Sequence, residues 1–266
     1  MAFNPLDSAL IRVLTLPQLS PLGRWQVELI HDRRDHLLLW ITRGQGIALI
    51  DGARVGIGAH NALFVPARQV MSFAPGRQCF GQALLVPDGS DLTLPGRPLH
   101  LRVRDGMSQG ELTQLFEAMG REQSGDRPLS QSALLAYSDL VGIWLRRHLD
   151  EDTIPSRASA ARRLSRSFFT HLSRHFADGR PMADHAAALG VTPTHLSRVC
   201  KAETGHTAAA LVTERVLHAA RTLLASTDIP AQDVARHLGF GSPAYFTRFI
   251  QQHTGQTPTA LRQKAA

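Results

Sequence analysis

The sequence predicts a multi-domain β + α protein: an N-terminal β-barrel, a helical linker and a C-terminal all-α domain with two helix-turn-helix units. Three observations lead to this prediction. Short apolar runs broken by Gly and Pro fill the first hundred residues, the apolar spacing becomes helical after Arg104, and a unit of about fifty residues is repeated near the C-terminus. We place the domains at residues 1–105, 106–155 and 156–266. The 266 residues, 43% of them hydrophobic, can bury a core and do not have the composition of a disordered chain.

Short apolar runs between Trp25 and Pro87 predict antiparallel strands of a sandwich or barrel, because turn signals separate them every ~8–12 residues. The runs are WQVELI, HLLLWITRGQGIALIDG, ARVGIGAHNALFVP, MSFAPG and CFGQALLVP. Asp51 and Gly52 form a hairpin signal, because this pair adopts the positive φ angles of a tight turn.

Apolar residues recur every three or four positions between residues 107 and 150, which predicts two amphipathic helices. They are Leu112, Leu115, Phe116 and Met119, then Leu134, Tyr137, Val141 and Trp144. Two interpretations stay open: these helices form the interface of a homodimer, or they pack against the barrel. The polar stretch from Glu151 to Ser159, which contains Pro155, indicates a linker.

The positive charge of the chain is concentrated in its C-terminal part. The whole sequence has a formal net charge of +7. Residues 1–155 have a net charge of −1, whereas residues 156–266 have a net charge of +8. A basic domain favours a polyanionic partner such as nucleic acid, and the nearly neutral part does not need one.

The remaining composition excludes several classes of protein. No run reaches the ~18 apolar residues that span a bilayer, and the first residues, MAFNPLDSALIRVL, lack the pattern of a cleaved leader, so we expect a cytoplasmic protein without a membrane partner. Cys79 and Cys200 are the only cysteines and lack the spacing of a zinc site. We predict no metal and no cofactor, and we interpret Cys200 as a core residue rather than a redox sensor.

An internal repeat gives two helix-turn-helix units. Leu189-Gly190-Val191 corresponds to Leu238-Gly239-Phe240 at an offset of 49, and Thr192-Pro193 corresponds to Ser242-Pro243 at an offset of 50. In each unit a Gly ends a short helix, and a hydroxyl followed by Pro begins the next one as N-cap and first helical residue. Flanking helices around Leu164 to Phe176 and Leu211 to Leu224 must complete each small core.

The second helix of such a unit lies in the DNA major groove, with residues near its N-terminus at the base edges. Arg198 and Arg248 occupy equivalent positions and can each form two hydrogen bonds with guanine, a contact worth ~1–3 kcal/mol of discrimination. The predicted DNA-binding residues are Thr194, Ser197 and Arg198 in the first unit, and Ser242, Ala244, Thr247 and Arg248 in the second.

At these residues the sequence resembles the AraC/XylS family of bacterial transcription regulators. The resemblance covers about Phe176 to Arg262 and includes LGVTPTHLSRVCKAETG, RVLHAARTLLASTDIP and VARHLGFGSPAYFTRFIQQHTGQTPTALR. It implies two units that insert into successive major grooves on one face of bent DNA, ~34 Å apart. Arg215 matches an arginine of the connecting helix with a structural or phosphate-binding role, and Cys200 replaces the usual aromatic residue.

The N-terminal part resembles the cupin-like sensing domain of the same family. Aligned with the metal motif of cupin enzymes, His31, Arg33, Leu37 and Met71 stand where the ligands would be. Only one residue of a ligating type remains, so the resemblance implies an emptied metal site in which Arg33, Leu37 and Met71 contact a small effector. The segment TPTHLSRVCKAETG is similar to regulators of aromatic-acid catabolism, which implies an aromatic acid such as 4-hydroxybenzoate.

We therefore expect a ligand-responsive, sequence-specific DNA-binding transcription regulator that activates a catabolic operon and is not an enzyme. The expected partners are double-stranded DNA, a small-molecule effector, RNA polymerase and a second copy of the chain. Two alternatives remain: an effector-independent DNA-binding regulator, and a cupin enzyme with a DNA-binding tail.

Overall fold

A computed structural model describes residues 10–125, 127–149 and 159–265, so the predicted linker, apart from Ser159, lies outside the described residues. Within them the chain folds into strands followed by helices, with a 3-10 helix (Pro17–Leu19) and one short α-helix before the second strand. The strands are β1 (Arg12–Thr15), β2 (Asp35–Arg43), β3 (Gln45–Ile50), β4 (Ala53–Gly58), β5 (Asn61–Val65), β6 (Ser72–Pro75), β7 (Phe80–Pro87) and β8 (Leu99–Arg102). The helices are α1 (Trp25–Glu28), α2 (Gly106–Ser124), α3 (Ser130–Arg147), α4 (Ala160–His175), α5 (Met182–Ala187), α6 (Pro193–Thr204), α7 (Ala208–Ser226), α8 (Ala231–His237), α9 (Pro243–Thr254) and α10 (Pro258–Ala265).

The strands form two antiparallel sheets that pack face to face. The larger sheet has the order β1-β7-β2-β5-β8, and the smaller has the order β4-β3-β6. Their facing sides enclose an apolar core that includes Leu39, Leu63 and Leu85 from the larger sheet and Ile50 and Phe73 from the smaller. Each described strand forms hydrogen bonds only with strands of its own sheet, so the two sheets form a sandwich. Closure of the sheets into the predicted barrel is not shown.

The predicted hairpin joins β3 and β4. Asp51 and Gly52 have φ angles of +51° and +70°, and Ile50 pairs with Ala53 across the turn. Both central residues therefore adopt the left-handed conformation that an Asp-Gly turn requires. This prediction is confirmed.

Helices α2 and α3 cover the outer face of the larger sheet. Phe116 and Trp144 are buried there together with Trp40 of β2, whose indole N–H donates to Thr113 Oγ1 at 3.1 Å. Two interpretations of these helices were open, a homodimer interface and packing against the sheet domain. The structure shows the second for the inner faces of both helices.

One predicted strand is wrong, and two short strands were missed. The run WQVELI forms α1, because the indole N–H of Trp25 donates to the Leu22 carbonyl at 3.0 Å and Gln26 Oε1 accepts from the Leu22 amide at 2.8 Å. These local bonds stabilise a helical turn. The missed strands, β1 and β8, form the two edges of the larger sheet.

Helices α4 to α10 form the C-terminal domain, which also packs against the outer face of the smaller sheet. The long helix α7 lies between two helix-turn-helix units, α5–α6 and α8–α9. In the part of the chain that the structure describes, no helix has the length and apolar character needed to cross a membrane.

Candidate nucleic-acid interface

The first helix-turn-helix unit consists of α5, a turn and α6. Gly190 lies in the turn with a φ angle of +68°, a conformation that glycine adopts without a steric penalty. Thr192 Oγ1 accepts a hydrogen bond from the backbone N–H of His195 at 3.2 Å and so caps α6. Gly205, with a φ angle of +84°, ends the helix. Local sequence therefore sets both ends of α6.

The second unit, α8–α9, repeats these features. Gly239 has a φ angle of +73°, and Ser242 Oγ accepts from the backbone N–H of Tyr245 at 3.2 Å. Gly255, with a φ angle of +70°, ends α9. The predicted caps and terminating glycines are confirmed in both units.

The repeat extends to a pair of threonines that the sequence comparison did not include. Thr204 Oγ1 donates to the Cys200 carbonyl at 2.7 Å, and Thr254 Oγ1 donates to the Ile250 carbonyl at 2.8 Å. Each hydroxyl also accepts from the backbone N–H two residues further on. At the end of a helix some backbone groups have no hydrogen-bond partner within the helix, and these threonine hydroxyls bond to such groups.

One face of each second helix is buried and the other is exposed. Leu196 and Cys200 of α6 and Phe246 and Ile250 of α9 are fully buried. Burial raises the pKa of the Cys200 thiol to about 12, so this cysteine is a core residue, as predicted. The predicted DNA-binding residues Thr194, Arg198, Ser242, Ala244 and Arg248 are exposed, and Ser197 and Thr247 are partly exposed.

The two equivalent arginines differ in their surroundings. One guanidinium N–H of Arg198 donates to Nδ1 of His195 at 3.2 Å. The side chain of Arg248 makes no hydrogen bond or ion pair with any residue in the described ranges. The Arg248 guanidinium is thus free to bind a ligand, whereas the Arg198 guanidinium must first give up its hydrogen bond to His195.

Two residues at equivalent positions were missed by the sequence analysis. His195 and Tyr245 follow Thr194 and Ala244 directly, and the side chain of Tyr245 is 58% exposed. Their equivalence follows from the same offset of 50 that relates the two units. An exposed aromatic ring beside the residues predicted to contact bases can add apolar contact with thymine methyl groups.

Arg215 of α7 is a buried structural residue. Its guanidinium forms an ion pair with Asp32 of the sheet domain and lies 3.6 Å from the centre of the Phe176 ring. Only 7% of Arg215 is exposed, and burial lowers its pKa while Asp32 opposes that shift. Of the two roles that the resemblance implies, the structure places Arg215 in the structural one.

The β3–β4 hairpin contacts α4 directly. Ser165 Oγ donates to the Gly52 carbonyl at 2.5 Å, and Arg166 forms an ion pair with Asp51. A Cβ atom on Gly52 would lie 2.5 Å from the Arg166 backbone nitrogen, so only glycine permits this approach. Arg162 lies 3.9 Å from Asp51 and 3.9 Å from Glu203 of α6. This contact, called here the hairpin contact, links the sheet domain to the first unit.

A third contact between the domains is a stack of rings. His31 and His218 stack with ring centres 4.6 Å apart, and Trp25 lies 5.4 Å from His218. The ring N–H groups of the two histidines donate to backbone carbonyls: His31 Nδ1 to Leu29 at 2.9 Å, and His218 Nε2 to Gln26 at 3.1 Å. Burial holds the pKa of His31 well below its usual value and lowers that of His218 to about 3, so both rings are neutral.

The three residues predicted to bind an effector do not line a common cavity. Leu37 and Met71 are 2% exposed and pack in the core between the sheets, where apolar side chains fill the space. Arg33 lies near Arg12 and Asp35; burial lowers its pKa to about 10, and its Nε has no hydrogen-bond partner in the described part of the chain. No group of three or more potential metal ligands occurs among the described residues.

Two families of protein sequences match this chain. The family described as AraC-like ligand binding domain matches residues 28–137, and the family described as helix-turn-helix domain matches residues 185–264. The first match runs from the end of α1 through β2–β8 and α2 into the start of α3, and the second runs from within α5 through α9 into α10. The chain belongs to the AraC/XylS family.

Curated AraC-type relatives match parts of the chain. The arabinose operon regulatory protein of Salmonella typhimurium is 26% identical over 160 residues, 59% of this chain and 55% of that protein. A probable bifunctional transcriptional activator and DNA repair enzyme AlkA of Mycobacterium tuberculosis is 38% identical over 81 residues, 30% of this chain and 16% of that protein. This chain thus spans about half the length of the arabinose regulator that it matches.

Among solved structures, apo ToxT K231A from Vibrio cholerae is 12% identical, with a TM-score of 0.44 over 96% of this chain and 97% of that one. By their names, the two curated relatives are an operon regulatory protein and a probable bifunctional transcriptional activator and DNA repair enzyme.

Proposed function

We propose that this AraC/XylS family member is a ligand-responsive, sequence-specific DNA-binding transcription regulator. The observation that supports this most is the pair of capped helix-turn-helix units, whose exposed faces each present an arginine at the equivalent position, Arg198 and Arg248. The net charge of +8 over residues 156–266 supports the same function, because cationic surfaces bind the phosphate backbone.

In this proposal α6 and α9 enter successive major grooves. Arg198 and Arg248 bond guanine, and Ser197 and Thr247, which lie beside them, bond bases or phosphates. Ala244 and Tyr245 offer apolar contacts to thymine methyl groups. Thr194 and Ser242, with the helix N-terminal amides, position the units on the backbone.

The experiment that tests DNA binding is selection from a pool of random duplexes, followed by fluorescence anisotropy at several salt concentrations. We expect the selected site to bind at least ~10³-fold more tightly than random DNA. Binding should weaken linearly on a log–log salt plot. Arg97→Ala, at an exposed site in the sheet domain, is the control and should bind as the native chain does. Equal affinity for selected and random DNA would refute sequence-specific binding.

The sheet domain is the proposed sensor, and an aromatic acid such as 4-hydroxybenzoate is the proposed effector. The ion pair of Asp32 with Arg215 and the hairpin contact connect this domain to the helix-turn-helix units, so an effector that alters the sheet domain can alter their placement. In transcription with RNA polymerase from the selected site, 4-hydroxybenzoate should increase transcript yield if the protein activates a catabolic operon. A decrease would exclude that activator role, and no change would exclude 4-hydroxybenzoate as the effector.

A second copy of the chain is a further proposed partner. The outer face of α2–α3 carries Leu140, which is 49% exposed, next to the partly buried Leu115 and Tyr137. Sedimentation of the native chain should give a dimer, and Leu140→Glu should give a monomer, because a carboxylate would be buried without a partner. A native monomer at micromolar concentration would argue against this interface.

One observation favours a second candidate, an effector-independent regulator. The core between the two sheets is filled by side chains such as Leu37 and Met71, so the predicted pocket has no open volume at these residues. A thermal-shift screen separates the candidates, since a ligand that binds the folded state raises its stability by mass action.

A further inference from the structure

A backbone contact links the loop that leads into the first helix-turn-helix unit to the turn of the second. Gly179, between α4 and α5, lies against Gly239. A Cβ atom on Gly179 would lie 2.3 Å from the Gly239 carbonyl oxygen, and a Cβ atom on Gly239 would lie 2.4 Å from the Gly179 nitrogen. Both residues have positive φ angles, +65° and +73°. Only a pair of glycines permits this approach, which is called here the glycine junction.

The loop at residues 176–181, which carries Gly179, is held by contacts of its own. The ring N–H of His175 donates to Asp178 Oδ2 at 2.9 Å, and Arg180 forms an ion pair with the same oxygen at 2.9 Å. The ring of Phe176 packs against the cores of both units. The glycine junction is therefore formed by a loop that is fixed on the side of the first unit.

Helix α7 also joins the two units, because it contributes Leu211 to the core of the first and Leu224 to the core of the second. Small units that share little interface can rock about a single connecting helix. A second contact, made by residues outside that helix, resists this motion. The turn of the first unit has no such contact, since a Cβ atom on Gly190 would have no described atom within 4 Å.

We propose that the glycine junction fixes the angle between α6 and α9 and so makes the protein selective for the spacing of the two DNA segments that they read. This inference rests on the proposed function, because it concerns how both units bind one DNA site. One base pair moves a segment by ~3.4 Å along the DNA and by ~35° around it, so units at a fixed angle reach both segments at one spacing. Any movement of the first unit by the sheet domain has to shift this contact.

The first test needs no DNA and measures the distance between spin labels on α6 and α9 by pulsed electron paramagnetic resonance. The labels are attached through Lys201→Cys and Gln251→Cys, at exposed equivalent positions, in a chain that also carries Cys79→Ser. Without further change this chain should give one narrow distance distribution, and Gly179→Asn should broaden or shift it. Because Asn tolerates a positive φ, this variant adds a Cβ atom to the junction with little backbone strain.

The second test measures affinity for the selected DNA site and for versions with one base pair inserted or removed between the two segments. The native chain should prefer the selected spacing at least ~5-fold, because a unit out of register gives up its base contacts. Gly179→Asn should prefer it less than ~2-fold, as expected of units that bind independently.

Gly190→Asn is the matched control in both tests. Gly190 has a φ angle of +68°, close to that of Gly179, but open space around the position of a Cβ atom. This variant should therefore keep the narrow distance distribution and the native preference for one spacing. A change in both properties equal to that of Gly179→Asn would show that the effect comes from the backbone angle and not from the junction.

Other results would also overturn this inference. A broad or multiple distance distribution in the chain with intact glycines would do so whether or not Gly179→Asn folds, and so would equal native affinity at all three spacings. Native behaviour of Gly179→Asn in both tests is a further contradiction. The distance measurement stands even if no DNA site is selected, whereas a selected site bound without spacing preference removes only the glycine junction and leaves the proposed function in place.

Discussion

The two helix-turn-helix units share their local structure but differ in what they contact. Both begin their second helix with a hydroxyl cap and proline, and both end it with a left-handed glycine. The core of the first unit also includes Ile30, Leu49 and Val70 of the sheet domain. The core of the second includes Leu29 from that domain. Duplicated sequence thus gives equal helices, while attachment to the sheet domain depends on residues outside the repeat.

This difference gives the units different roles in signalling. Glu203 of α6 contacts Arg162, which also contacts Asp51, so the hairpin contact reaches the first unit. The second unit contacts the same domain chiefly through α7. A change in the sheet domain is therefore expected to move the first unit relative to the second.

The largest expected effect is at Arg215, where α7 is held to the sheet domain. Arg215→Met should lower the free energy of unfolding by about 1.5–3 kcal/mol, because the partly exposed Asp32 loses a charge-assisted hydrogen bond. Urea unfolding measures this. The control is Arg236→Met, since Arg236 forms an exposed ion pair with Asp233 and should change stability by less than ~0.5 kcal/mol. Equal losses in both variants would show that the interdomain pair is not stabilising.

Acid should weaken the contact that the stacked rings of His31 and His218 make between the two domains. The folded-state pKa values of His31 and His218 are depressed, so the unfolded chain binds protons first as pH falls. Stability should be full above about pH 6.5 and fall below it by about 1 kcal/mol per pH unit for each histidine. The charged groups that face the stack are Arg33, Arg215 and Arg221, which all oppose protonation.

Urea unfolding between pH 7 and pH 5 checks this prediction. His218→Phe keeps a ring in the stack but cannot be protonated, so it should reduce the pH dependence. His253→Phe, at an exposed site in α9, should leave the slope unchanged. An unchanged slope in His218→Phe would contradict the assignment to this stack.

Substituting the turn glycines should distinguish the two units by a smaller loss of stability. Gly190→Ala and Gly239→Ala both place a side chain at positive φ, which costs about 1–2 kcal/mol. A Cβ on Gly239 would also lie 2.4 Å from the Gly179 nitrogen, whereas nothing lies within 4 Å of a Cβ on Gly190. Gly239→Ala should therefore destabilise more than Gly190→Ala. Thermal unfolding compares them, and equal melting temperatures would refute the close approach.

The smallest expected loss of stability comes from removing the N-caps, and it should be equal in both units. Thr192→Ala and Ser242→Ala each remove one N-cap hydrogen bond and should each cost about 1 kcal/mol. Thr192→Ser is the matched control, because it keeps the capping oxygen. Chemical denaturation measures the losses, and a difference above ~1 kcal/mol between the two alanine variants would show that the caps are not equivalent.

The parts of the fold that local sequence determines were predictable. The Asp51-Gly52 turn and the hydroxyl-proline helix starts each depend on a few adjacent residues, so their chemistry is visible in one segment. The strand prediction for WQVELI failed because side-chain bonds around Leu22 outweigh the apolar pattern. β1 and β8, at four residues each, lie outside the series of apolar runs between Trp25 and Pro87 and were therefore missed.

The long-range contacts were not predictable from one sequence. Asp32 and Arg215 are 183 positions apart, and no local pattern relates them. The effector residues Leu37 and Met71 were placed by resemblance to a metal motif, which fixes a position along a strand but not the volume around it.

In the proposed function, the two helix-turn-helix units read two separate parts of one DNA site. The most direct test measures the affinity of the native chain, Arg198→Ala and Arg248→Ala for the selected site and for every single-base variant of it. We predict that each substitution relaxes base preference by about 1–3 kcal/mol at its own segment, with the two segments about one helical turn apart. Uniform loss of affinity across all sequences, or relaxation of the same bases by both variants, would contradict the claim.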